Sequence, residues 1–272
     1  MDRIDMQVTS RNNEQIKYMR RLAGRRFRER EGKFILEGVR LLEEALAAGW
    51  MVETLVHTAG AASGAGRTLT DTVRERGGRV LEVTDELFRT LADTVSPQGV
   101  LAVARRTAYT LDGLLAGRPS LLLLADGVQD PGNLGAIIRS ADAAGADGVI
   151  LLPGTVDAFA PKTVRATMGS LFHLPVIMDG ADKVLTALAG AGLPVVAGVP
   201  RAPSFIDQID LSGPVVLAVG NEAGGISPAV LAKSEQASIP MSGRAESLNV
   251  AMAASIMLYE AVRQRRAFPI FQ

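Results

Sequence analysis

The apolar positions of the first hundred residues change their spacing repeatedly. Separations of three and four predict helices at NNEQIKYMRRLAG (12–24), VRLLEEALAAG (39–49), TLTDTVRERGG (68–78) and TDELFRTLAD (84–93). Short apolar runs between them predict strands at KFILEG (33–38), VETLVHT (52–58), RVLEV (79–83) and QGVLAVARR (98–106). Gly49 is placed to close the second helix, and Thr84 or Asp85 to open the fourth. Strands and helices that trade places in this way predict a small α/β/α sandwich.

TAYTLDGLLAGRPS (107–120) mixes turn residues with one short apolar turn and reads as a connector. The alternation then resumes, with strands at SLLLLA (120–125), DGVILL (147–152), FHLPVI (172–177), LPVVAG (193–198) and PVVLAVG (214–220). Helices follow at LGAIIRSADAAG (134–145), APKTVRATMG (160–169), ADKVLTALAGAG (181–192), SPAVLAKS (227–234) and LNVAMAASIMLYEAVRQRR (248–266). Several of these strands lack polar alternation, as strands of a mostly parallel sheet do when helices cover both faces. The expected fold is therefore α/β in two domains, residues 1–108 and 120–272, joined by a linker at 109–119.

Composition narrows the chemistry. Of the 272 residues 47% are hydrophobic but only 4% aromatic, which suits Ala-rich helices on aliphatic strands. There is no cysteine, and the two histidines, His57 and His173, lie far apart, so a zinc enzyme is not expected and each imidazole reads as a strand-end or core residue. The longest uncharged window, 184–200, is broken by Gly190, Gly192, Pro194 and Gly198, and no membrane span is expected. The start is charged and lacks the apolar core of a signal peptide, which suggests a cytoplasmic protein, or a mitochondrial one in a eukaryotic host. Net charge is zero, yet residues 1–110 hold 18 Lys and Arg against 15 Asp and Glu. The excess concentrates in residues 17–33, with eight basic and two acidic residues.

Open parallel sheets bind ligands beyond the carboxyl ends of their strands. Three loops at such positions are rich in Gly, Asn, Ser and acid: DGVQDPGNLG (126–135), GNEAGGISP (220–228) and IPMSGRAESLN (239–249). The first is no dinucleotide fingerprint, because its glycines are wrongly spaced and the next strand ends in Leu-Leu-Pro rather than an acid. In it Pro131 and Gly132 make a turn, and Asn133 is an N-cap candidate. Arg139 shares a helix face with Gly135, Ala136, Asp142 and Ala143, which leaves a guanidinium room for a large partner; the plainer alternative is a surface pair with Asp142. In the second loop Gly220, Gly224 and Gly225 admit close approach of backbone to a ligand, with Glu222 between them, and Ser227 and Pro228 read as N-cap and first helical residue. Ser247 is the N-cap candidate of the last helix. That helix is apolar on two sides, with Leu248, Met252, Ser255 and Tyr259 in one row and Val250, Ala254, Met257 and Ala261 in another, so it is expected between its own sheet and a symmetric partner.

In order and spacing, DPGNLGAIIRSADAAG, LAVGNEAGGIS and IPMSGRAESLNVAMAASIMLYEA resemble the three motifs of the SpoU-type (TrmH-like) family of SPOUT RNA methyltransferases. SRNNEQIKYMRRL and GKFILEGVRLLEEAL resemble, more loosely, the N-terminal substrate-binding domain of many members, which is similar to small ribosomal RNA-binding proteins. The resemblance implies methylation of a ribose 2′-hydroxyl from S-adenosylmethionine, a homodimer, and a C-terminal trefoil knot that connectivity rules alone would argue against. Carried across by position, Arg139 matches the family's catalytic arginine, which accepts the hydroxyl proton or orients the hydroxyl against a phosphate. Because Arg stays protonated, orientation and charge stabilisation are the expected roles. Asn133, Glu222, Ser247 and Asn249 match polar positions on the substrate side; Gly220, Ile239 and Leu248 match backbone contacts to the cofactor, with Met241 beside them. In-line methyl transfer from a sulfonium needs alignment and no metal. Beside that activity, Lys17, Arg20, Arg21, Arg25, Arg26 and Arg28 become candidate phosphate contacts, where the plainer alternative is a solvated helix face. Ribosomal RNA of the 23S type is the expected substrate; transfer RNA, or a non-catalytic ribosome-binding protein of the same fold, is the alternative.

Overall fold

The computed structural model describes residues 6–61 and 65–266. In chain order its elements are β1 (Met6–Val8), α1 (Glu14–Arg21), α2 (Arg25–Glu31), β2 (Lys33–Glu37), α3 (Val39–Ala47), β3 (Val52–Thr58), α4 (Ala65–Glu75), β4 (Arg79–Val83), α5 (Asp85–Arg89) and β5 (Val100–Arg105). There follow α6 (Leu111–Ala116), β6 (Leu121–Asp126), α7 (Pro131–Ala143), β7 (Gly148–Leu151), α8 (Pro161–Ala166), β8 (Val176–Met178), α9 (Ala181–Gly190) and β9 (Val195–Gly198). The last are β10 (Ser204–Phe205), β11 (Val215–Gly220), α10 (Pro228–Leu231), β12 (Glu235–Ser238) and α11 (Val250–Arg265). No helix among the described residues is long and apolar enough to cross a membrane.

Two compact units form, one from residues up to 108 with 159–172, the other from 109–158 with 173 onward. The first has a five-stranded sheet in the order β1-β4-β3-β5-β2, in which only β5 runs against its neighbours. Strand pleating sends alternate side chains to opposite faces. One face buries Ile35, Val56, Leu101 and Val103 against Ile16 and Met19 of α1 and Leu87 and Phe88 of α5. Phe34, one residue away from Ile35, instead meets the edges of Trp50 and Phe159 at 5.9 and 5.0 Å. Trp50 Nε1 also donates to the Phe172 carbonyl at 3.1 Å, so residues 159–172 are fixed to this unit at both ends by aromatic contacts.

The second unit is a seven-stranded, wholly parallel sheet in the order β10-β12-β9-β11-β6-β7-β8. The central strands β6 and β11 are buried at every position, which explains their unbroken apolar sequence. Leu111 of α6 packs with Leu122, Leu124, Val184 and Leu188 in this core, so the short apolar turn of the connector is a helix of the second unit. From β6 the chain winds outward through β7 and β8, then crosses to β9. It returns to fill the gap with β11 and, finally, places β12 between β9 and β10. The winding reverses beside β6, and loops from adjacent strands diverge there.

The structure departs from the sequence pattern in identifiable places. β12 reads EQAS, with its first two residues exposed and its last two buried, and β10 is a two-residue strand at the sheet edge; neither has an apolar run, and both are held by parallel backbone pairing. The expected strand at 172–177 begins only at Val176, after a 3-10 turn at Ser170–Phe172. The helix expected over 12–24 breaks near Gly24, which starts α2 within the Arg run. α2 corrects one expectation about that run. Arg28 is 3% exposed and spends its guanidinium on the carbonyls of Leu22 and Ala23, at 2.8 and 2.6 Å, where α1 ends. It is therefore a brace for the α1–α2 corner and not a phosphate contact. Lys17, Arg20, Arg21, Arg25 and Arg26 are exposed. Removing the Arg28 head leaves the buried Leu22 carbonyl and the half-buried Ala23 carbonyl without their charged donor. Arg28→Ala should lower stability by about 2 kcal/mol, from hydrogen bonds to a charged group, and Arg26→Ala by less than about 0.5 kcal/mol. Urea denaturation followed by circular dichroism reads both, and equal midpoints would remove the brace.

Candidate active site

A cavity of about 420 Å³ lies beyond the carboxyl ends of β9, β11 and β12. Its walls come from Gly198 and Val199 after β9, from 219–223 and Gly225 around the second loop, and from the third loop, where Ile239, Met241, Ser247, Leu248 and Asn249 all reach it. Small residues keep this space open. A Cβ at Gly220 would collide with the backbone of Gly225 and Ile226, which cannot retreat as a side chain could. Gly225 has φ +67°, and Asn221 and Gly225 exchange two backbone hydrogen bonds of 2.9 Å, so the second loop is a closed turn.

Glu222 joins that turn to the first loop. Its carboxylate accepts from the amides of Gln129 (3.1 Å) and Asp130 (3.2 Å) and from Asn133 Nδ2 (2.9 Å). Asn133 Oδ1 in turn accepts from Asn249 Nδ2 at 3.0 Å, and Asn249 Oδ1 accepts from the amides of Ala251 and Met252. Four of the predicted polar residues thus meet at one rim, three in a single chain of hydrogen bonds and Ser247 beside them in the cavity wall. Burial pushes the Glu222 carboxyl up, but the Asn133 amide and the Gln129 and Asp130 backbone donors outweigh it and hold the group below the usual carboxylate range.

Two capping expectations are corrected. The N-cap of α7 is Asp130, whose carboxylate accepts from Asn133 N at 2.9 Å, with Pro131 in the first turn; Asn133 is freed to bridge Glu222 and Asn249. The N-cap of α11 is Asn249 rather than Ser247. Ser227 does precede α10 with Pro228 following, although its side chain makes no capping bond.

Arg139 stands apart from this rim. It lies six residues, or roughly 9 Å of helix rise, beyond Asn133, is exposed, and makes no hydrogen bond or ion pair among the described residues. The alternative pairing with Asp142 is not formed, because Asp142 Oδ2 faces His173 Nδ1 at 2.9 Å. His173 is exposed and lies before β8 begins, so it is neither the core nor the strand-end residue expected, whereas His57 is buried in β3. The two-sided character expected of α11 is present: Ala251, Ala254, Met257, Leu258 and Ala261 are buried, while Met252, Ile256 and Tyr259 are exposed, Tyr259 by 65%. Ser140 and Ser255, 2.8 Å apart, fasten α7 to α11.

Several residues of this site were missed in the sequence. Asn221 Nδ2 donates to the Gly127 carbonyl at 2.8 Å while its Oδ1 accepts from Ala223 and Gly224. Asp126, nearly buried at the end of β6, accepts from Ser227 N at 2.7 Å. Gly198 and Val199 had only their position at the end of a strand to mark them. Among the described residues no cluster of three or more His, Asp or Glu could hold a metal ion.

A family model described as the SpoU rRNA Methylase family matches residues 120–259, and one described as an MRM3-like substrate binding domain matches 13–102. The chain is 35% identical over 255 residues to the 23S rRNA (guanosine(2553)-2′-O)-methyltransferase RlmP of Bacillus subtilis, covering 93% of this chain and 98% of that one. It is 37% identical over 266 residues to the 23S rRNA (uridine(2479)-2′-O)-methyltransferase of Streptomyces viridochromogenes, covering 95% and 92%. An AdoMet-bound rRNA methyltransferase from Sinorhizobium meliloti superimposes with a TM-score of 0.84 at 37% identity, over 94% of this chain and 97% of that one.

With a carboxyl pKa lowered by folding, Glu222 contributes stability that is present above its unfolded value and lost as pH falls through the folded one. Glu222→Gln turns an amide toward the Gln129 and Asp130 donors, so it should lower the urea midpoint at pH 7, and the gap to wild type should close as pH drops below about 4, at and under the ordinary carboxyl range. A gap that stays constant down to pH 3 would show that the charge of Glu222 is not what holds the loop.

Proposed function

Since the chain belongs to the SpoU rRNA methylase family, we propose that it transfers a methyl group from S-adenosylmethionine to a ribose 2′-hydroxyl of 23S-type ribosomal RNA. The observation that carries this reading is the cavity at the carboxyl ends of β9, β11 and β12, lined by the second and third motif loops, with the first loop hydrogen-bonded to its rim at Glu222 and Asn249. Its volume is within the range of roughly 300–1,000 Å³ usual for small-molecule sites. The residues fit a nucleoside-bearing donor: Val199, Ala237, Ile239, Leu248 and Val250 offer apolar walls, and Gly198, Gly220 and Gly225 leave backbone groups accessible. When bound, S-adenosylmethionine supplies an electrophilic methyl on a sulfonium.

On this reading the chain's own residues position, exclude water and manage charge. Gly220, Ile239 and Leu248 present backbone groups to the cofactor, and Met241 closes the wall beside them. Asn133, Glu222, Ser247 and Asn249 form the polar rim on the substrate side, with the first three loops locked in register before RNA arrives. Arg139 meets the RNA backbone, orients the 2′-hydroxyl and stabilises the charge that develops as its proton leaves. Its exposure leaves the guanidinium available for that task. The exposed cations of the first unit, Lys17, Arg20, Arg21, Arg25 and Arg26, take the phosphates of the substrate, in keeping with the substrate-binding domain that this region matches.

The assembly we infer is a homodimer through α11. Met252, Ile256 and Tyr259 form an exposed apolar strip at helical spacing, on the helix that Ser255 fastens to α7 beside Arg139. The passage from β12 across the ends of β9 and β11 into α11 is the segment we take as the trefoil knot. The place of work is the cytoplasm, where its RNA would be found. We assign residues 1–108 to substrate binding and 120–272 to the methyltransferase domain, with the segment 109–119 joining the latter through α6.

Ribose-methylation mapping of ribosomal RNA from cells with and without the gene should reveal one site that disappears with it; an unchanged map would refute the activity. Arg139→Ala should bind S-adenosylmethionine as wild type does in calorimetry while losing about a hundredfold or more in turnover. Unchanged turnover would remove Arg139 from the reaction. Tyr259→Glu should sediment as a monomer, and a persisting dimer would place the interface elsewhere.

A further inference from the structure

A second cavity, of about 340 Å³, opens in the first unit at the end of the sheet where β2, β3 and β4 begin. Its chemistry differs from that of the cofactor cavity. Tyr18 and Gln15 come from α1, Glu31 from the end of α2, Lys33 from β2, Glu53 from β3 and Arg79 from β4. Acceptors and donors alternate around it. Glu31 accepts from Tyr18 Oη at 3.2 Å and pairs with Arg30 at 2.9 Å, and Glu53 pairs with Lys33 at 2.6 Å and Arg105 at 2.7 Å. These partners do not exhaust the carboxylates, each of which has about four lone-pair sites. Arg79 makes no hydrogen bond or ion pair among the described residues, and neither does the side-chain amide of Gln15.

The surroundings suit nucleic acid. Phe27 carries the guanidinium of Arg21 at 4.2 Å and that of Arg30 at 4.7 Å, and its ring meets Tyr18 edge-on at 5.5 Å. Lys17, Arg25 and Arg26 are exposed on the same two helices that wall the cavity. Aromatic and cationic groups interleaved in this manner hold unstacked single-stranded nucleotides. A bare phosphate would meet two carboxylates here, and a metal ion would meet two cations. What satisfies the lining is a neutral planar edge with adjacent donors and a flanking acceptor.

We propose that this cavity receives one unpaired guanine of the substrate RNA, whose N1–H and 2-amino group donate to Glu31 while O6 accepts from Lys33 or Arg79. Guanine alone among the four bases places two donors side by side next to a carbonyl oxygen. Adenine would turn a ring-nitrogen acceptor toward the carboxylate. Glu31 stays ionised and acceptor-only, since the Arg30 hydrogen bond holds its carboxyl below the usual range. The proposal rests on the reading that the first unit binds RNA, and gives that unit a sequence preference beyond its phosphate contacts.

Fluorescence anisotropy of the full chain with labelled single-stranded RNA hexamers, differing only at one central base, tests it. A central guanine should bind about tenfold more tightly than adenine, the scale of one bidentate contact. Inosine, which lacks the 2-amino group, should fall between them. Glu31→Gln should reduce the guanine preference to near unity, whereas Arg26→Glu should weaken every hexamer alike and keep the preference. Binding without any base preference in the wild-type chain, or a preference that survives Glu31→Gln, overturns the guanine site while leaving RNA binding by this unit intact. Absence of binding to every hexamer, together with an unaltered affinity for a natural ribosomal RNA fragment in Arg26→Glu, overturns both.

Discussion

The carboxylate of Glu222 is the constraint on which the site depends. It takes two backbone donors and one side-chain amide from a loop 89 to 93 residues earlier in the chain, and through Asn133 it reaches Asn249 at the start of the last helix. Charge-assisted acceptors of this kind are roughly twice as strong as neutral ones. Loops that leave a sheet at separate strands would otherwise move independently. Held at one point, they define a cavity with fixed walls, so that cofactor and sugar need not organise it as they bind.

That constraint works only because the backbone is close enough to be joined. β6 and β11 are adjacent in the sheet and paired along six residues, which sets the first and second loops side by side. Gly220 allows the second loop to fold back on Gly225 and Ile226, and Asn221 ties the turn to Gly127. β12, between β9 and β10, then delivers the third loop to the far wall. Burial of the central strands supplies the rigid base, at roughly 1.5–3 kcal/mol for each fully buried Leu or Val. The hydrogen bonds above it choose one loop arrangement from many.

Most of this was legible in the sequence, and the gaps have physical reasons. The unbroken apolar runs of β6, β7, β9 and β11 announce a covered parallel sheet, and the three loops rich in Gly, Asn and acid sit where such sheets bind ligands. β12 was illegible because its first two residues are exposed and polar and only two small side chains, Ala237 and Ser238, are buried, while backbone pairing on both sides holds the strand. Asn133 and Ser247 read as the helix caps from their positions in the loops; only the folded geometry shows that Asp130 caps α7, which frees Asn133, and that Asn249 caps α11. Arg28 illustrates the opposite failure. Its neighbours Arg25 and Arg26 are exposed, and nothing in the local composition distinguishes the one guanidinium that turns inward to the carbonyls at the end of α1.

The claim that one carboxylate preforms the cavity is tested most directly by amide hydrogen exchange at Gln129 and Asp130 in the ligand-free protein, resolved by NMR. Donation to Glu222 predicts slowed exchange at both amides in the wild-type chain, and an acceleration of about tenfold or more in Glu222→Gln while the amides of β6 keep their protection. Exchange at the rate of an open loop in the wild-type chain would contradict it, for the loops would then meet only when a ligand draws them together.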